Sequence, residues 1–151
     1  MIKSLFVLFV FSSFCFGADV EERRSQIINI INEELREVQT ISIRGGEKDP
    51  NLLLRIAELN LEKARLYRER ENNKYLDLPV KTRQKVNKNK FFAKSSKYFR
   101  EANNSCRKIT RKFKRYSRMG EVYYILGYNS KESGNLKSAS NYLQKAGKNS
   151  T

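Results

Sequence analysis

The side chains that could do chemistry are few in kind. The chain of 151 residues has no histidine, no tryptophan and two cysteines. Without imidazole there is no histidine triad, no imidazole general base and no histidine ligand for zinc. Carboxylates remain. Glu33 with Glu37, and Glu58 with Glu62, stand four residues apart, so each pair would share one helix face, where two carboxylates can divide general acid and general base roles. Ordinary solvated helices show the same spacing, and no nucleophile, metal-ligand set or cofactor motif accompanies it. The chain is therefore expected to be non-enzymatic, with no catalytic, metal or cofactor-binding residue.

The abundant chemistry is cationic. There are 31 Lys+Arg against 16 Asp+Glu, a formal charge of +15. The excess is concentrated: between Val80 and Arg118 the only acid is Glu101. Within this block Lys81, Arg83, Lys85, Lys88 and Lys90 form one cluster and Arg107, Lys108, Arg111, Lys112, Arg115 and Arg118 another. Cations near a helix carboxyl terminus favour the dipole, which accounts for two or three of the second cluster but not for the first. An anionic lipid or polymer surface, or an acidic partner, is the expected contact.

Met1 to Gly17 matches a secretory signal peptide: Lys3, the apolar run Leu5 to Phe11, then Ser12 to Gly17 with small Cys15 and Gly17 two apart. The apolar run is shorter than the roughly 20 residues of a membrane span. Bulky Phe14 before Cys15 argues against lipid attachment. Cleavage after Gly17 would start the mature chain at Ala18 and leave Cys106 alone, without an intramolecular disulfide. Export to the periplasm is expected, with an extracellular or membrane-associated end as the other outcomes.

The elements that must position these residues read as helices. Val20, Ile27, Ile31, Leu35, Val38 and Ile41 trace one stripe, spaced seven, four, four, three and three. Gly45 and Gly46 interrupt it, so residues 18–48 form an amphipathic helix and a glycine-containing linker. Asp49-Pro50 then supplies an N-cap and a proline at the first helical position. Leu53, Ile56, Ala57, Asn60, Ala64 and Tyr67 make the apolar face of a second helix, ending near Tyr75. Lys81 to Lys90 reads as a loop or frayed turn. Phe92, Ser95, Phe99, Ala102, Cys106, Ile109 and Phe113 give a third helix, Arg118 to Ser133 a fourth and Leu136 to Ala146 a fifth, parted by Gly134-Asn135. The expected fold class is all-α.

The last segment carries a resemblance. With Gly120 as first position, Tyr123, Leu126, Gly127, Gly134, Ala139, Leu143 and Ala146 fall where a tetratricopeptide repeat of about 34 residues has its signature. Residues 120–151 resemble one such repeat, departing from it at Ser130 and Thr151. Residues 49–119 resemble a degenerate preceding helix pair with a basic insertion. Leu52 to Asn72 is similar to the opening of periplasmic multi-repeat proteins. The resemblance implies a short α-solenoid of antiparallel pairs whose first helices bind protein or peptide segments, through Glu121, Tyr124, Tyr128 and Lys131. Such repeats are not stable singly, and no polar capping helix follows Ala146, so a covering partner or a second copy is expected ahead of the third reading, a chain shortened relative to longer relatives.

Together these features favour an exported, non-catalytic adaptor or scaffold for envelope proteins. Nucleic-acid or polyanion binding is the alternative, for which Phe91, Phe92, Tyr98 and Phe99 among the lysines offer stacking groups. The export signal and the position of those aromatics on the apolar stripe count against it.

Overall fold

The computed structural model describes the backbone of residues 3–149 and the side chains of residues 20–149. The predicted leader, residues 1–17, lies outside the side chains described. The helices are α1 (Lys3–Arg44), α2 (Pro50–Leu76), α3 (Val80–Lys85), α4 (Lys88–Phe91), α5 (Ala93–Lys112), α6 (Met119–Glu132) and α7 (Leu136–Lys148). Among the described residues there is no strand, and the chain is all-α.

Local chemistry sets the helix ends. The Asp49 carboxylate accepts from the Asn51 N–H at 2.8 Å, so α2 opens on a side-chain cap with Pro50 behind it. Gly134, at φ 76°, closes α6: its N–H reaches the Lys131 carbonyl at 2.9 Å and that of Asn135 reaches Ser130 at 2.9 Å. Those two bonds satisfy carbonyls that the helix end would otherwise leave open. The Asn135 side chain then caps α7, accepting from the Ser138 N–H at 3.0 Å. One glycine and one asparagine thus reverse the chain.

Consecutive long helices run antiparallel, as their cross-contacts require. Arg70 and Lys63 of α2 meet Glu21 and Asn32 of α1 in reverse order. Glu71, late in α2, bonds Ser95 at the start of α5, while Asn51, early in α2, accepts from the Tyr116 hydroxyl at 2.8 Å beyond the end of α5. Asn129 of α6 donates to the Phe99 carbonyl at 3.2 Å and the Asn103 side chain at 2.8 Å.

The main core lies where α2, α5 and α6 meet, built on Leu53, Leu54, Ala57, Phe99, Ile109 and Val122. Burying each large apolar side chain there contributes on the order of 1.5 to 3 kcal/mol. A second cluster joins Ile31 and Leu35 of α1 to Ile56 and Leu59 of α2. Because α1, α5 and α6 all pack on it, α2 buries residues around most of its circumference, Leu54, Leu59 and Leu61 included, rather than the single predicted face.

Two expectations are refined. The α1 face against α2 is Arg24, Ile28, Ile31, Leu35 and Ser42, whereas Val20, Ile27 and Ile41 are 53%, 41% and 48% exposed. Ile31, Leu35 and half-buried Val38 of the predicted stripe do pack against α2; at its ends Arg24, Ile28 and Ser42 replace Val20, Ile27 and Ile41, since adjacent Ile27 and Ile28 lie about 100° apart on the helix and packing selects Ile28. Arg24 joins it because Glu21 and Glu69 neutralise its buried guanidinium. The basic stretch Lys81 to Lys90, expected as a loop or frayed helical turn, forms two short helices, α3 and α4. Asn87 caps α4 by accepting from the Lys90 N–H at 3.2 Å, and Tyr75 packs edge-on against Phe91 at 5.6 Å.

Candidate partner groove and basic face

Between α2 and the α6–α7 hairpin runs an open groove of about 830 Å³. Leu61, Ile125 and Ala146 make a buried floor, and Leu66 is half-buried beside them. Tyr124 is 52% exposed and Leu143 41% exposed, both facing the groove. Glu58, Glu62, Glu69 and Glu121 line it, with Arg65 as the one cation among the lining residues.

Several of these carboxylates are held from the rim. The Arg118 guanidinium reaches Glu121 at 2.6 Å and Glu58 at 3.2 Å. Its hydrogen bond holds the Glu121 carboxyl below the usual carboxylate range. Arg24 reaches Glu69 at 2.8 Å. Glu62 has no ion pair among the described residues.

Of the four residues assigned to a binding face, Glu121 and Tyr124 line the groove. Tyr128 is half-buried against Phe99, with ring centroids 6.4 Å apart, and the Arg65 guanidinium sits 5.4 Å from its ring centre. Burial raises its phenol pKa. Lys131 is exposed and does not line the groove. On the floor and α2 wall, Leu61, Leu66 and Glu69 carry no site signal in the sequence, and Glu62 stands out only as a spaced carboxylate beside Glu58. The acidic side of α2 becomes a wall once α6 and α7 are set beside it.

The basic residues occupy other surfaces. Lys81, Lys85, Lys88 and Lys90 are exposed on α3 and α4, while Arg83 is half-buried, its carbonyl accepting from the Tyr75 hydroxyl at 3.3 Å. At the far end of α5, about 30 Å away by helix rise, Arg107, Arg111 and Arg115 are exposed. Lys108 and Lys112 are partly committed, lying 2.5 and 3.8 Å from Glu47. Arg118 belongs to the groove rim rather than to this surface. Lys97 and Arg100 are exposed on α5, away from buried Phe99, Ala102, Cys106 and Ile109. Glu101 is exposed on the same stretch, between Arg100 and Arg107. Near the α5–α6 turn Arg111, Lys112, Lys114 and Arg115 line a recess of about 770 Å³ together with Pro50 and Asn51.

Compared with known proteins, the chain matches no family model, no curated protein and no solved structure.

The aromatics set among the lysines are engaged internally. Tyr98 stacks on Tyr67 with centroids 5.3 Å apart, and Lys63 and Lys94 lie 4.1 and 4.3 Å from the Tyr98 and Tyr67 ring centres. Phe91 and Phe92 pack on Tyr75, and Phe99 is core. Among the described residues no three metal-binding side chains converge, and no helix is long and apolar enough to cross a membrane.

Proposed function

We propose that this protein is an exported, non-catalytic adaptor built on tetratricopeptide-like helix pairs, holding a segment of an envelope protein in its groove while its basic face docks on an anionic surface or acidic partner. The observation that carries the reading is the groove itself: an apolar floor between helices, with exposed Tyr124 and Leu143 left without cover. An exposed tyrosine is a common anchor for a partner, and Leu143 gains by removing its apolar surface from water.

Several features support the repeat assignment. The antiparallel pairs α2 with α5 and α6 with α7 follow in order, with α3 and α4 as the insertion in the first. Small residues stand where helices cross: Ala57 and Ala102 are fully buried, and a Cβ on Gly127 would come within 2.8 Å of Leu143 Cγ. The exposed basic face of α5 is suited to a second, electrostatic contact, each cation near an anionic membrane contributing on the order of 1 kcal/mol.

Affinity capture from an envelope fraction tests this, at low and high salt, beside a variant with Lys81, Arg83, Lys85, Lys88 and Lys90 changed to Ser. A defined protein retained at high salt and by the variant supports groove binding. Recovery of only lipid or polyanion, lost with salt or in the variant, overturns the adaptor assignment and makes the basic face the function.

A further inference from the structure

We infer that the groove takes a basic segment of a partner protein, one that carries lysine or arginine together with at least one large apolar side chain. This rests on the adaptor reading and adds the chemistry of the occupant. On a chain of formal charge +15, a polyanion is the default ligand for any surface. The groove is the exception. Four carboxylates and one guanidinium line it, three of the carboxylates paired with Arg118, Arg24 or Arg55 beside it and Glu62 left over, whereas the recess at the α5–α6 turn is lined by four cations and no carboxylate.

The placement of the carboxylates sets what fits. Glu58, Glu62 and Glu69 stand along one wall of α2, spanning about 16 Å by helix rise. An extended segment of about five residues covers that length. Arg118 and Arg24 already hold Glu58, Glu121 and Glu69 from the rim, so Glu62, exposed and without an ion pair among the described residues, is where an incoming cation gains most. An acidic segment would set like charges together at Glu62. Charge alone is not enough, because the floor of Leu61, Leu66, Ile125 and Ala146 with exposed Leu143 and Tyr124 calls for an apolar side chain. The basic face of α5 on a second copy would match the charge, yet α5 has no large exposed hydrophobe to fill that floor. Leu76 and Val80, 63% and 61% exposed beside Lys74 and Lys81, are the part of a second copy with both features; a different protein is the occupant proposed, and sedimentation distinguishes it from a second copy.

Selection of short random peptides displayed on phage against the full chain tests the inference. Binding of the selected clones is then compared with Glu62→Lys, Glu62→Gln and Tyr124→Ala. Both positions are exposed, and thermal melts check that each variant is folded; Glu62→Gln serves should Glu62→Lys fail that check. Clones that depend on Glu62 and Tyr124 are expected to carry more Lys and Arg than Asp and Glu, together with a Leu, Phe or Trp. Their affinity should fall about tenfold in Glu62→Lys and less in Glu62→Gln. Groove-dependent clones that are acidic or uncharged overturn the charge inference and leave the adaptor reading standing. If no clone depends on either position, both fall. Sedimentation that finds self-association abolished by Glu62→Lys assigns the groove to a second copy, and that also overturns the proposal.

Discussion

Glu71 caps Ser95 across two helices. The Glu71 carboxylate, near the end of α2, accepts from the Ser95 N–H at 3.3 Å and its hydroxyl at 2.5 Å, and from the Lys94 N–H at 3.1 Å. Helix α5 has no side-chain cap of its own, since Phe92 occupies that position. The first N–H groups of a helix need acceptors, and an anion there also meets the positive end of the dipole. A carboxylate from the preceding helix meets both needs and sets the register of α2 against α5.

Removing this cap should be costly. Glu71→Ala leaves the Lys94 and Ser95 donors without their acceptor and is expected to destabilise the fold by about 2 to 3 kcal/mol. Glu71→Gln keeps one acceptor oxygen and should cost about 1 kcal/mol. Urea unfolding followed by circular dichroism measures both. Parent-like stability for Glu71→Ala would remove the cap from the account of the fold.

The crossing of α6 and α7 makes a second expectation. A Cβ on Gly127 would lie 2.8 Å from Leu143 Cγ and 3.3 Å from its backbone nitrogen. Gly→Ala inside a helix ordinarily gains about 1 kcal/mol, but overpacking costs about 1 to 3. Gly127→Ala should therefore show a net loss of about 1 kcal/mol, and Gly127→Arg a larger one. Leu143→Ala should relieve part of the clash, making the double variant more stable than the two single losses predict. Strict additivity in thermal melts would contradict the close crossing.

How much of this was legible in the sequence depends on whether the deciding partner was local. The Asp49 cap, the Gly134-Asn135 reversal and the α5 stripe through Phe99, Ala102, Cys106 and Ile109 are set within a few residues of themselves, and all are observed. The α1 stripe was legible through Ile31, Leu35 and Val38 but not at Ile27 and Ile28, adjacent residues that only α2 distinguishes. Glu71 gave no signal, since its partners lie more than twenty residues away. The groove was half legible: Glu121 and Tyr124 follow from the repeat spacing, but Glu62 and Leu66 become a wall only when α7 is brought beside α2.

Cys106 offers a probe of the core. It is fully buried and free, and burial pushes its thiol up to about 12. The thiolate is the reactive form, so at neutral pH Cys106 is both protonated and shielded. Peptide mapping after iodoacetamide should find Cys106 unmodified in the native protein over hours and fully modified in guanidinium. Rapid native labelling would mean that α5 opens readily from α2 and α6.

The carboxylates paired at the surface predict how stability responds to acid. Glu47, hydrogen-bonded by Lys108 and near Lys112, and Glu121, hydrogen-bonded by Arg118, both have pKa values lowered from the ordinary 4.5. A group whose folded pKa is depressed contributes stability above the unfolded value and loses it as pH falls through the folded one. The contribution of each pair is therefore present above pH 4.5 and disappears below it. Both pairs face solvent, so each should be worth less than about 1 kcal/mol. Melting temperatures taken downward from neutral pH should fall less steeply below pH 4.5 in Glu47→Gln and Glu121→Gln than in the parent. In about 1 M salt, where screening extends over only about 3 Å, the difference between parent and variants should shrink. Slopes that are identical at low salt would show that the Lys108–Glu47 and Arg118–Glu121 contacts add nothing to stability.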